Sequence, residues 1–118
     1  MIPSQMLKGT LSGCILAIIS RKETYGYEIA ETLGRYGFGK IAEGTIYPLL
    51  LRLEKNGLVN AQYRASELGP QRKYYSITPL GCEELSSFIC SYRQLCNAVE
   101  NTIGGGSEIE QGSKKTQG

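Results

Sequence analysis

A double change of hydrophobic period constrains this chain more than any other feature. Up to Gly57 apolar residues recur every three or four positions, from Leu58 to Thr78 they alternate, and from Pro79 the helical period returns. Val59, Ala61 and Tyr63 alternate with Asn60, Gln62 and Arg64, as in a half-buried strand. Residues 66–71 contain Gly69-Pro70 and read as a turn; residues 72–78, rich in Tyr and Ile, read as a second strand. A lone hairpin is marginal in water, so this one has to pack on the helices around it. The pattern therefore predicts a mainly α chain with one β-hairpin, an α+β fold in the order α-α-α-β-β-α.

Three helices precede the hairpin. Leu7, Leu11, Cys14, Ile15, Ile18 and Ile19 form one apolar face over residues 6–19. Gly9 and Gly13 lie within it and each costs about 1 kcal/mol against Ala, so packing must hold this helix together. Thr24 is placed to N-cap a second helix over residues 25–35 that buries Ile29, Ala30 and Leu33, with Glu28 near its positive end. Gly34, Gly37 and Gly39 stop it. A third helix over residues 43–56 closes on Gly57 as a left-handed cap. Its inward stripe is Ile46, Leu49, Leu50 and Leu53; Thr45, Pro48, Arg52 and Lys55 fall outside.

Pro79 occupies the favoured first position of a last helix, with Thr78 as its N-cap. Leu85, Phe88, Tyr92, Leu95, Val99 and Thr102 are spaced 3, 4, 3, 4, 3, a heptad seam that Ile89, Cys96 and Ile103 widen. Such a helix is about 25 residues or roughly 37 Å long at 1.5 Å per residue. A core built from residues 1–78 does not need that length, so a second copy of the chain is the expected partner. Leu85, Phe88, Tyr92, Leu95 and Val99 are the expected dimer interface. The resulting organisation is a domain over residues 1–78, a dimerisation helix over 79–103, and a tail over 104–118. That tail opens with Gly104-Gly105-Gly106-Ser107, has almost no apolar residues, and is expected to be flexible.

With 118 residues the chain has room for one modest core. It contains no histidine and no aspartate, which removes the usual general base and the commonest metal ligand together. Ser-His-Asp and Cys-His machinery and imidazole zinc sites are excluded, and no catalytic, metal or cofactor site is expected. Glu83 and Glu84 read as helix N-terminal charges. Cys14, Cys82, Cys90 and Cys96 lack metal-ligand spacing. No signal peptide or membrane-spanning run is apparent, so a cytoplasmic protein with reduced, buried cysteines is expected. The net charge of +2 hides an uneven distribution. Residues 40–75 carry six basic and three acidic groups, whereas residues 76–103 carry one basic and three acidic. Two surfaces with different partners follow.

The element order, with a short turn between the second and third helices, is that of a winged helix-turn-helix. In such modules a helix enters the major groove and a basic wing crosses the backbone beside it. Thr45 and Arg52 suit the outer face of the entering helix, and Arg72-Lys73 supply charge at the wing base. The words of the sequence agree. Tyr25-Gly26-Tyr27-Glu28-Ile29, Glu43-Gly44-Thr45-Ile46-Tyr47-Pro48-Leu49-Leu50, Arg52-Leu53-Glu54-Lys55-Asn56-Gly57-Leu58, Gly69-Pro70-Gln71-Arg72-Lys73-Tyr74-Tyr75 and Thr78-Pro79-Leu80-Gly81 together resemble the PadR-like transcriptional regulators over residues 5–103. The short chain looks like the small branch of that family, which includes multidrug-binding repressors.

The resemblance implies a homodimeric repressor that binds a pseudo-palindromic double-stranded DNA operator and is released by a small-molecule inducer. It makes the helix carrying Thr45 and Tyr47 the recognition helix, assigns Arg72 and Lys73 to the basic wing, and places Tyr27 near the phosphate backbone. Tyr92 matches an aromatic position that sandwiches flat ligands in multidrug-binding members, though Tyr stands here where they have Trp. Leu51 and Ser76 occupy places where the family commonly has basic residues, which leaves more of the work to Arg52, Arg64 and Lys73. Taken alone, the residues keep alternatives open. Arg52 is either a DNA contact or a solvated arginine paired with a glutamate, Tyr47 either reaches DNA or caps the core, and Tyr92 is a ligand platform or an ordinary seam aromatic. A winged helix that contacts only protein is the rival from another class.

Overall fold

The computed structural model describes residues 1–104; the rest of the expected tail lies outside them. Its elements are α1 (Ser4–Leu7), α2 (Leu11–Arg21), β1 (Thr24–Tyr25), α3 (Gly26–Leu33), α4 (Glu43–Lys55), β2 (Val59–Ser66), β3 (Gly69–Ile77) and α5 (Pro79–Ile103). A π-helical turn, Gly34–Phe38, ends α3. The fold is mainly helical with a small antiparallel sheet, and the three helices, hairpin and long last helix stand in the expected order. No helix among the described residues is long and apolar enough to cross a membrane.

Two local expectations are corrected. The first helix is not continuous over residues 6–19, because Gly9 adopts a φ of 87° and Thr10 turns back onto the Leu7 carbonyl. The single turn of α1 buries no residue, so nothing offsets the cost of running helix through Gly9. The second concerns Thr24, which is a strand residue and not an N-cap. Thr24–Tyr25 pairs with β3, giving a three-stranded sheet in the order β1-β3-β2. The Thr24 hydroxyl donates to Glu28 Oε1 at 2.6 Å instead of capping α3.

The core of the first compact unit, Met1–Ser86, gathers Leu11, Ile15, Leu16, Ile18 and Ile19 of α2 with Ile29 and Leu33 of α3. Ile46, Leu50 and Leu53 of α4 join them, with Val59 and Tyr75 from the sheet. Tyr75 lies in the central strand opposite both Thr24 and Ala61, and is 2% exposed. Of the two adjacent tyrosines it is the one that faces inward. The expected alternation in β2 fades outward: Val59 is buried, Ala61 half-buried and Tyr63 62% exposed. Beyond Ala61 the hairpin outruns the core and becomes a two-sided ribbon.

Thr78 ties the last helix to the corner between α4 and β2. Its hydroxyl accepts the Gly81 N–H at 2.9 Å, the N-cap bond the sequence predicts, and lies 2.7 and 3.0 Å from the carbonyl oxygens of Gly57 and Leu58. Gly57 has a φ of 76°, as its capping role requires. Gly81 is buried where a Cβ would collide with the Leu58 carbonyl oxygen. Glycine is therefore needed for α5 to approach β2 this closely. The first turns of α5 belong to the Met1–Ser86 unit for this reason, and the second unit starts at Ser87.

Gly81→Ala should destabilise the protein by about 1–3 kcal/mol in urea unfolding, since backbone must move to admit the methyl group. Gly44→Ala, with nothing within 4 Å of the added carbon, should leave stability unchanged or up to about 1 kcal/mol higher. The hydrogen bond from Thr24, and secondarily Lys22, holds the Glu28 carboxyl below its ordinary range. A carboxyl so lowered stabilises the fold above its unfolded value of about 4.3 and loses that contribution as pH falls through the folded value. Thr24→Val should cost about 1 kcal/mol at neutral pH. Its deficit against the parent should shrink between about pH 5 and 3, as read from unfolding midpoints.

Candidate nucleic-acid interface

Burial of Ile46, Leu50 and Leu53 turns Thr45, Tyr47, Leu51, Arg52 and Lys55 of α4 toward solvent. Among the described residues the Arg52 side chain has neither a carboxylate nor a hydrogen-bond partner, so the paired-arginine alternative is not realised. Arg52 and Thr45 line one open groove of about 370 Å³ with Lys8, Ser12 and Leu49. Tyr47 is 47% exposed and does not cap the core. Its ring lies against the start of α3, where a Cβ on Gly26 would come 3.2 Å from it. The Tyr47 hydroxyl donates to Glu43 Oε1 at 3.5 Å. Gly26, between two tyrosines at a helix start, is thus the seat of a ring from α4.

A second open groove, of about 470 Å³, brings Tyr27, Tyr47, Arg72 and Lys73 together. Tyr25, Tyr63 and Leu51 also line it, and the sequence singled out neither Tyr25 nor Tyr63. Tyr27 is exposed, and the Glu31 carboxylate one turn on accepts its hydrogen bond and holds its hydroxyl above the ordinary tyrosine value. The phenol stays neutral at physiological pH. Tyr27 and Tyr47 each have a single O–H, given to Glu31 and Glu43, so a phosphate oxygen would receive it only by displacing that carboxylate. Leu51 contributes apolar surface where a cation was expected from the family pattern.

Strand register separates the wing residues that the sequence treats as a pair. Tyr25, Gln62, Arg64, Arg72 and Tyr74 share one face of the sheet; Ala61, Tyr63, Lys73 and Tyr75 share the other. Arg64 and Arg72 stand directly opposite each other, an unfavourable like-charge pair unless each has a partner. Arg64 forks onto Glu23 at 2.5 and 2.7 Å and lies 5.1 Å from the Tyr74 ring centroid. Arg72 stacks on Tyr25, its guanidinium carbon 4.4 Å from the centroid, and has no carboxylate among the described residues. Lys73 Nζ lies 3.0 Å from Glu54 Oε1 of α4, and that hydrogen bond raises the ammonium above the ordinary lysine value. The cations expected to compensate for Leu51 and Ser76 therefore differ. Among the described residues Arg52 is unpaired, whereas Arg64 and Lys73 already hold carboxylates.

In the second unit, Tyr92, Leu95, Val99 and Ile103 are 45%, 55%, 45% and 74% exposed along one seam. Phe88 and Tyr92 stack with centroids 6.1 Å apart and planes 24° apart. Leu85, expected in that seam, lies in the first unit and packs half-buried on its own core. The expectation of four buried cysteines is also corrected: Cys82 and Cys90 are exposed, Cys96 is intermediate, and only Cys14 packs against the core. Burial raises the Cys14 thiol above its ordinary value and keeps it protonated.

Residues 15–87 match the model of the "Transcriptional regulator PadR-like family". The crystal structure of a PadR-like transcriptional regulator from Bacillus cereus is 50% identical, with a TM-score of 0.75, over 85% of this chain and 97% of that one. The transcriptional regulator Rv3488 of Mycobacterium tuberculosis is 32% identical over 93 residues, 79% of this chain and 82% of its own length. Bacillus subtilis PadR, solved in complex with operator DNA, is 26% identical with a TM-score of 0.61 over 69% of this chain and 47% of that one. Proteins of this family are transcriptional regulators and not enzymes. With the winged-helix architecture and matches over most of its length, the chain belongs to the PadR-like family of transcriptional regulators.

Proposed function

We propose that this regulator is a homodimeric repressor that binds a pseudo-palindromic operator in the cytoplasm, through α4 and the β2–β3 wing of each copy. The observation that carries the proposal is the convergence of Tyr27, Tyr47, Arg72 and Lys73 on one groove, beside an α4 face that presents Thr45 and the unpaired Arg52. Thr45 and Arg52 suit contacts in the major groove; the tyrosines, Arg72 and Lys73 suit the sugar–phosphate backbone. Two such helices related by a twofold axis would read half-sites about one helical turn apart.

The exposed seam of Tyr92, Leu95 and Val99 supports dimerisation through α5, with Phe88 at its inner end. Apolar side chains repeated every three or four residues and left in water are stabilised by a second copy of the same helix. The Phe88–Tyr92 stack offers a face to a flat aromatic inducer. Ligand binding there would release DNA by changing the spacing of the two recognition helices.

Three experiments test these assignments. Arg72→Ala should weaken binding to specific and random duplexes alike, and should reduce the slope of log K against log salt by about 0.9 per engaged arginine. Arg52→Ala should weaken the specific duplex more than the random one. The DNA upstream of this protein's own gene is the duplex to use, and no shift of it at low salt would favour a winged helix that contacts only protein. Light scattering at micromolar concentration should read two chains for the parent and one for Leu95→Glu. A planar aromatic dye should quench tyrosine emission in the dimer, and Tyr92→Ala should remove that response.

A further inference from the structure

We infer that Glu54 is an internal competitor for the DNA phosphate at Lys73, so that this recognition-helix carboxylate holds down the protein's affinity for DNA. The inference rests on the assignment of the wing groove to DNA and extends it by naming a residue that works against binding.

The geometry is specific. Lys73 projects from the face of β3 that carries Tyr63 and Tyr75, and its Nζ lies 5.7 Å from the centroid of each ring. The Lys73 side chain is 23% exposed and Glu54's 37%, so neither stands in open solvent, and Glu54 holds Lys73 from α4 without itself lining the groove. Lys73 lines the same groove as Tyr27, Tyr47 and Arg72. An ammonium has three donors, and one of them already points at Oε1 of Glu54 at 3.0 Å. A phosphate oxygen arriving at Lys73 therefore meets a neutralised cation, with a carboxylate beside the place the phosphate must occupy. Arg72 differs: its partner is the neutral ring of Tyr25, and its full charge remains available.

Salt dependence discriminates between this role and a purely structural one. A cation neutralised inside the protein displaces no counterion from DNA, whereas one that neutralises a phosphate contributes about 0.9 to the slope of log K against log salt. Glu54→Gln keeps an oxygen that can accept the Lys73 hydrogen bond but removes the negative charge. It should tighten binding to specific and random duplexes alike, by roughly 3–10-fold per protomer near 100 mM salt, and steepen the slope by about 0.9 per protomer. The gain must pass through Lys73, so Glu54→Gln combined with Lys73→Gln should bind no tighter than Lys73→Gln alone.

The measurement is fluorescence anisotropy with a labelled duplex from upstream of the gene and a random duplex of equal length, across about 50–300 mM salt. Circular dichroism melts establish that each variant is folded. Tighter binding with a steeper slope, lost when Lys73 is also replaced, is the expected result. Unchanged or weaker binding at an unchanged slope would overturn the inference and leave Glu54 as a brace between α4 and β3. Should Glu54→Gln not fold, Lys73→Gln in the parent decides the matter: masking predicts a slope change well below that of Arg72→Gln, and an equal change overturns it. Folded parent and variants that bind neither duplex at the lowest salt would overturn the DNA assignment of the groove itself.

Discussion

The burial of one narrow stripe of α4 is the constraint on which the rest depends. Ile46, Leu50 and Leu53 are each 5% exposed or less, and packing them against α2, α3 and the sheet leaves α4 no freedom to rotate about its axis. Each such residue stabilises the fold by roughly 1.5–3 kcal/mol, so a rotation that exposed all three would cost most of a small domain's stability. Thr45, Tyr47, Leu51 and Arg52 face outward because those three face inward. The face of α4 proposed to meet DNA therefore presents the same side chains every time, because the core enforces it.

The wing obeys a different rule. It outruns the core, so its two faces are not sorted by burial but by strand register. Register puts Arg64 opposite Arg72 and sends Lys73 to the far side, and each cation then finds its nearest compensation: Glu23, the Tyr25 ring and Glu54. Exposed ion pairs contribute little to stability, so these contacts matter less for holding the wing than for deciding how much positive charge it offers. Counted by residue the wing region is strongly basic. Counted by unpaired charge among the described residues it is much less so: of Arg64, Arg72 and Lys73 only Arg72 lacks a carboxylate.

Much of the architecture was legible in the sequence because it arises from short-range rules. The last helix runs over Pro79–Ile103 as predicted, since proline, an N-cap threonine and a seam apolar up to Thr102 fix both its start and its period. The third helix and its glycine stop also fall within a residue of expectation. Where two rules compete at one place, the reading fails. Thr24 satisfies the preferences of an N-cap and of a strand, and a two-residue strand has no period to reveal it. Residues 6–19 keep a helical apolar pattern across Gly9, but the turn before Gly9 buries nothing, so the pattern lacks the packing energy that would hold it.

The same division separates the parts of the candidate site. Its helices, its hairpin and the exposed seam follow from periodicity, capping and turn chemistry, which act within a few residues of chain, and its candidate contact residues follow from the resemblance of the motifs to the family. Which cations are free and which are held, why Gly26 leaves little room beneath Tyr47, and why Gly81 must be a glycine against Leu58 depend on groups distant along the chain. Glu23 reaches Arg64 across 41 positions, and Glu54 lies on a different element from Lys73. Local sequence determined what this protein presents to a partner; tertiary packing decided how much of that charge is available, because compensation of charge is set by distance in space.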